Sequence, residues 1–197
     1  MHVYLFLISI GYSQNNNNNS KIHQPLFGFN IGLNQSALYN SNAVEELQIS
    51  NSPGFRMGVF AEFPISKSWS VSPKSELSFN YAKVKINNIL YRVDPYNLDI
   101  ILHFKHKFKY SHGKIRPYMN VGPNIRAPLN LNFEGIYLAT KASIAADFGF
   151  GLEIDANYFI LAPELRFSGG LTDIRKNPSG NILRGSNAVL TLNFIGK

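Results

Sequence analysis

The stretch DFGFGLEIDANYFILAPELRF, Asp147 to Phe167, alternates with a period of two residues. Phe148, Phe150, Leu152 and Ile154 occupy one phase, and Asp147, Gly149, Gly151 and Glu153 the other. Beyond Ala156-Asn157 the alternation resumes. Phe159, Leu161, Pro163, Leu165 and Phe167 then oppose Ile160, Ala162, Glu164 and Arg166. Two such runs joined by about two residues make a β-hairpin. One of its faces is greasy; the other carries acids, a base and glycines. A soluble barrel turns the greasy face inward, whereas a transmembrane barrel turns it toward lipid.

Outward from this hairpin, alternating segments separated by turn signals continue in both directions. They predict eight strands, at about 26–36, 54–65, 68–82, 96–108, 114–126, 140–155, 158–168 and 185–195. The one short helical candidate is NAVEELQIS, Asn42–Ser50. In order, the connections are long (37–53), short (66–67), long (83–95), short (109–113), long (127–139), short (156–157) and long (169–184). Transmembrane barrels sort their connections in this way, with short periplasmic turns and longer extracellular loops. The expected fold is an all-β, closed, eight-stranded antiparallel up-and-down transmembrane β-barrel, with both termini on the periplasmic side.

The two faces of the predicted strands differ as such a barrel requires. An aromatic girdle is expected at the short-turn end, from Phe27, Phe63, Trp69, Phe108, Tyr158, Phe159 and Phe194, with Tyr81 and Tyr96 at the other end. Amphipathic rings favour the boundary between lipid and water. Mid-strand outward positions are largely Ile31, Val59, Leu77, Ile100, Leu102, Val121 and Leu165. The opposite phase holds Arg56, Glu62, Lys74, Glu76, Asp99, His103, Lys105, Arg116, Arg126, Lys141, Asp147, Glu153, Glu164 and Arg166, with Asn30, Asn80 and Asn120. Such groups are costly in hydrocarbon. An eight-stranded barrel is just wide enough for side chains to fill, so these charges are expected to pair across a narrow, occluded lumen. Gly28, Gly32, Gly58, Gly122, Gly149 and Gly151 would make room for them. Pro73 and Pro163 fall inside strands, where local bulges are expected.

Composition fits this picture. The chain has 197 residues, 45% of them apolar, and no Cys. Its mean hydropathy is −0.10, which excludes nothing, because an alternating barrel averages out. No disulfide framework or thiolate metal site is possible. The net charge is +7, but Lys and Arg are spread over many strands, so no nucleic-acid partner is expected. The apolar residues Tyr4–Ile10 read as the core of a signal peptide over residues 1–13, cleaved after Ser13. Residues 14–25, beginning QNNNNNS, read as a polar linker, and 26–197 as the barrel.

The stretches GFRMGVFAEFPISKSWSVSPKSELSFNY (Gly54–Tyr81), YNLDIILHFKHKF (Tyr96–Phe108), IRPYMNVGPNI (Ile115–Ile125) and FGFGLEIDANYFILAPELRFSGGLTDI (Phe148–Ile174) resemble the PorT-like outer-membrane β-barrel family of Bacteroidota. The resemblance implies the cell outer membrane as location and the lipid bilayer as partner. It further implies envelope protein partners, with a role as an accessory of a secretion or gliding apparatus. One departure is the C-terminus. Barrels of this kind often finish on an aromatic residue, whereas here Ile-Gly-Lys follows Phe194.

No catalytic, cofactor or metal site is expected. Barrel enzymes such as lipid A acyltransferases and deacylases need a His base near Ser or Asp at the outer rim. The five His here are His2, His23, His103, His106 and His112, none of them in a long loop. His103 is expected to pair with Asp99 in the lumen. His103 and His106 point to opposite faces of one strand, so they do not share a metal. Glu45, Glu46 and Asp173 are too scattered for a calcium site. The competing fold is a soluble lipocalin-like barrel with a hydrophobic ligand inside; a small channel would require the lumen pairs to rearrange.

Overall fold

A computed structural model of the chain describes residues 24–40, 48–50, 52–79, 83–86, 89–92, 96–109, 114–129, 141–174 and 183–197. Eight strands close a barrel: β1 (Leu26–Asn40), β3 (Ser52–Pro64), β4 (Trp69–Phe79), β7 (Tyr96–Lys107), β8 (Ile115–Pro128), β9 (Ser143–Ala156), β10 (Phe159–Gly170) and β11 (Leu183–Gly196). Each pairs antiparallel with its neighbours in the chain, and β1 closes the ring on β11, from Gly28 opposite Ile195 to Asn40 opposite Leu183. Three short strands, β2 (Gln48–Ser50), β5 (Lys83–Ile86) and β6 (Ile89–Arg92), form a second sheet in the order β2-β5-β6. They arise from the first two long connections. Residues 48–50 of the expected helix are therefore strand, paired with 83–85; the rest of that candidate lies outside the described residues. So do the proposed signal, most of the linker, Asn80, Tyr81, His23 and His112.

The barrel is greasy outside. Phe29, Ile31, Val59, Ile100, Val121, Phe148 and Leu190 are exposed, while Arg56, Glu76, Asp99, His103, Asp147 and Arg166 are each 1% exposed or less. The alternation is strict within each strand, because successive side chains leave opposite faces of the pleat. Among the described residues, Ser75 is the one polar side chain on the outer wall at mid-depth; Gln35, His106, Arg184 and Ser186 lie nearer the ends. Phe150 lies on the outer wall at 48% exposure. The soluble-barrel alternative needs the opposite polarity. No helix among the described residues is long and apolar enough to cross a membrane; these strands, 11 to 15 residues long, are the crossing elements.

The prolines behave differently from expectation. Pairing of β3 with β4 lapses between Phe60↔Lys74 and Phe63↔Val71, beside Pro73, then resumes in the same register. The same happens beside Pro163, between Leu161↔Ile154 and Glu164↔Gly151, and beside Pro123, between Ile101↔Asn124 and Phe104↔Val121. No residue is added to either strand, so there are no bulges at Pro73 or Pro163. Each proline lacks a donor toward one neighbour but keeps its pairing on the other side, opposite Leu102, Leu192 and Ala146 respectively for Pro73, Pro163 and Pro123.

Candidate functional site

The lumen is the chemically dense part of the molecule, and it is built in layers. At the short-turn end, Lys105 Nζ bridges Glu62 Oε2 (3.0 Å) and Glu153 Oε1 (2.6 Å). Lys107 joins the same two carboxylates, 2.9 Å from Glu153 Oε1. Ser70 donates to Glu62 at 3.0 Å. Above this cluster Phe60, Tyr118, Ala162 and Ile195 form an apolar plug.

The next layers cross the lumen. Strands β4 and β10 stand opposite each other in the ring, with three strands between them on either side. Two ion pairs span that gap. Lys74 Nζ lies 3.3 Å from Glu164 Oε1. Arg166 grips Glu76 with two hydrogen bonds, Nη1 to Oε1 at 3.2 Å and Nη2 to Oε2 at 2.5 Å. A planar guanidinium suits such a two-point grip on a carboxylate. Glu76 also accepts from Arg56 Nη1 and Asn30 Nδ2, each at 2.9 Å, and Arg56 extends to Asp99 at 3.3 Å. Toward the long-loop end, Asp147 accepts from Ser168 Oγ and Asn124 Nδ2, and Arg126 donates to Ser168 and to the Gly185 carbonyl.

Six carboxylates (Glu62, Glu76, Asp99, Asp147, Glu153, Glu164) thus meet five buried cations (Arg56, Lys74, Lys105, Arg126, Arg166), and Lys107 at the rim supplies a sixth. Near-neutral balance is what a poorly hydrated interior demands, since an unpaired buried charge is costly. One cavity among them, lined by Lys74, His103 and Glu164, has about 10 Å³, room for at most one water.

Glycines make the layers possible. In the register, Gly151 lies between Tyr118 and Glu164, Gly58 between Asn30 and Glu76, Gly122 beside Asp147, and Gly149 between Asn120 and Arg166. Gly151, Gly58 and Gly122 each leave a gap through which side chains two strands apart meet, and the Asn120 side chain lies over Gly149. Tyr118 Oη donates to Glu164 at 2.9 Å, as Asn30 does to Glu76. A Cβ on Gly151 would lie 2.5 Å from the Tyr118 ring.

Three expected placements change. His103 faces Asp147, at 3.5 Å, rather than Asp99. Four residues along a strand span about 13 Å, too far for His103 to reach Asp99; Gly122 opens the way to Asp147 instead. Lys141 precedes β9 and is exposed, outside the lumen. Arg116 shares the lumen phase but sits half-buried at the short-turn rim, donating to the carbonyls of Phe108 (2.9 Å) and Lys67 (2.5 Å). Sequence reasoning passed over Phe60, Tyr118, Asn124 and Ser168, although each shares the parity of a charged residue on its own strand.

The girdle residues lie at the short-turn end of the outer wall. Phe194 stacks on Phe29 (4.9 Å, 12°) and lies 6.1 Å from Phe159, and Trp69 and Phe108 flank His106 at 4.5 and 5.0 Å. Phe27, Phe63 and Tyr158 are exposed there. At the other end Phe79 contacts Phe55 and Tyr96. Aromatics are not confined to the girdles: Phe104, Phe148 and Phe150 lie on the wall between them.

For chemistry, Ser168, Asp147 and His103 are contiguous, but Asp147 sits in the middle. Activation of a serine needs the His at its hydroxyl. No cluster of three or more metal-ligating side chains occurs among the described residues.

The fold is shared with solved membrane barrels. Neisserial surface protein A is 12% identical, with 85% of this chain and 95% of that one covered at a TM-score of 0.56. OprG from Pseudomonas aeruginosa is also 12% identical, with 87% and 93% covered at 0.55. No curated protein matches the sequence. The model of one family, described as the outer membrane protein beta-barrel domain, matches residues 12–176. That match spans most of a chain whose strands close a barrel with oil outside and paired charges within: the protein belongs to the outer membrane protein beta-barrel family, and its place is the outer membrane.

Proposed function

We propose that this barrel is a closed, non-conducting outer-membrane protein that acts through envelope partners rather than by transport or catalysis. The observation that carries this reading is the pair of ion pairs spanning the lumen, Arg166–Glu76 and Lys74–Glu164. All four side chains are buried in a ring just wide enough for side chains to fill, so a hydrated ion would have to part both pairs. The polar lumen residues then serve as a structural core, and contacts with partners fall to the long connections and the short-turn rim. The PorT-like resemblance supports a finer version, in which the partner belongs to a secretion or gliding apparatus.

Purified protein in planar bilayers should give no stepwise conductance, and co-purification from mild detergent should bring down envelope proteins. Steady ohmic steps from the wild-type barrel would reject the closed-lumen reading; recovery of the barrel alone would reject the partner role.

A further inference from the structure

The lumen network is charge-balanced, so the net charge of +7 is carried by residues outside it. Outside that network, the described residues of the short-turn end carry Lys67, Lys109, Lys114, Arg116 and Lys197 against one carboxylate, Asp155. Asp155 is already bound to Lys197. Arg116 holds the 65–68 turn against Phe108 through carbonyl bonds, and the backbone N–H of Lys107 donates to the Ser68 carbonyl at 2.7 Å. The 65–68 turn is thereby fixed beside the end of β7 and the start of β8, with Lys67, Lys109 and Lys114 displayed there. All three are exposed, and none meets a carboxylate among the described residues.

Beside these lysines, Phe63, Ile65, Trp69 and Phe108 are each more than 40% exposed on the same sector. We infer that this sector of the short-turn rim is a binding surface for anionic phospholipids of the periplasm-facing leaflet, the three lysines taking the phosphates and the apolar side chains lying along the acyl chains. The alternation of cationic and apolar groups at one depth fits the boundary between headgroups and hydrocarbon. A soluble acidic partner would match the lysines and leave the aromatic groups in water. Basic residues near an anionic lipid surface each contribute on the order of a five-fold preference at low salt, and screening weakens it.

The inference rests on the membrane-spanning fold, which heat-modifiable gel mobility of the wild type tests separately. The full chain is placed in nanodiscs of equal phosphatidylglycerol and phosphatidylcholine, and lipids retained on release are counted by native mass spectrometry. Wild type should retain phosphatidylglycerol in roughly five-fold or greater excess at low salt. The K67Q/K109Q/K114Q variant should fall to near parity, while K141Q, at the opposite end, should keep the excess. Parity in the wild type, an unchanged excess in the triple variant, or an equal fall in K141Q would overturn the inference. If the triple variant loses its heat-dependent gel shift, the single variants K67Q, K109Q and K114Q decide, and an undiminished excess in all three would overturn it equally.

Discussion

Tyr118 donates its phenolic hydrogen to Glu164 across a strand position that carries no side chain: Gly151 stands between them in the register, opposite both. The ring lies over the glycine, where a Cβ would come within 2.5 Å of it. The lumen is organised by such gaps as much as by its charges.

Gly151→Ala should therefore destabilise the barrel by roughly 1–3 kcal/mol, the usual cost of forcing an extra methyl into a filled interior. Gly122→Ala should do at least as much, because a Cβ there would overlap the Leu102 carbonyl. Gly169→Ala, with nothing within 4 Å, serves as the neutral comparison. Urea titrations followed by gel mobility would rank the three, and equal midpoints would refute the gap mechanism.

Tyr118→Phe keeps the ring but removes the donor to Glu164. Hydrogen bonds to charged groups contribute about 1.5–3 kcal/mol, so the unfolding midpoint should drop with no change in strand content by circular dichroism. A midpoint at the wild-type value would mean that Lys74 and Asn120 satisfy the carboxylate by themselves.

Arg166→Met removes the guanidinium that grips Glu76 and lies 3.6 Å from Asp147, leaving Glu76 to Arg56 and Asn30 and the buried network one cation short. Breaking a buried pair from one side costs roughly 3–5 kcal/mol, whereas replacing both partners with apolar groups of similar volume is far milder. The double variant Glu76→Met/Arg166→Met should accordingly be more stable than Arg166→Met alone, Arg56 retaining Asp99 at 3.3 Å. If the double variant is the weaker of the two, Arg166 contributes through something other than this pair.

Phe150 lies halfway along β9 on the outer wall, and Phe27 at the short-turn end of β1. In a bilayer, Phe150→Arg should cost about 2–4 kcal/mol and Phe27→Arg about 0–1 kcal/mol. Equal penalties in lipid vesicles would place the hydrocarbon elsewhere on this surface.

How much of this was legible beforehand differs from residue to residue. That Phe148 and Phe150 share one face and Glu164 and Arg166 the other followed from parity, because a strand's side chains alternate whatever surrounds them; which face looks outward followed from the sorted connections. The even number of strands and the sorted connections led to closure. The second sheet was not legible: QIS, KVKI and ILYR are too short for periodicity to separate from loop, and they become strands by pairing with one another. The prolines were misjudged because a missing donor was equated with an inserted residue; the sheet instead drops its pairs beside Pro73, Pro123 and Pro163 and keeps its register.

The chain's own pattern sorted its side chains into two faces, since a period of two is a local property of extended backbone, and the alternation of short and long connections assigned the greasy face to lipid. Tertiary structure decided who meets whom inside. His103 finds Asp147 rather than Asp99, and Arg166 reaches Glu76 across the full width of the ring, because the stagger of eight strands brings distant residues to one height. Where a glycine falls in that stagger, neighbours two strands apart can touch; nothing local to either residue encodes the distance.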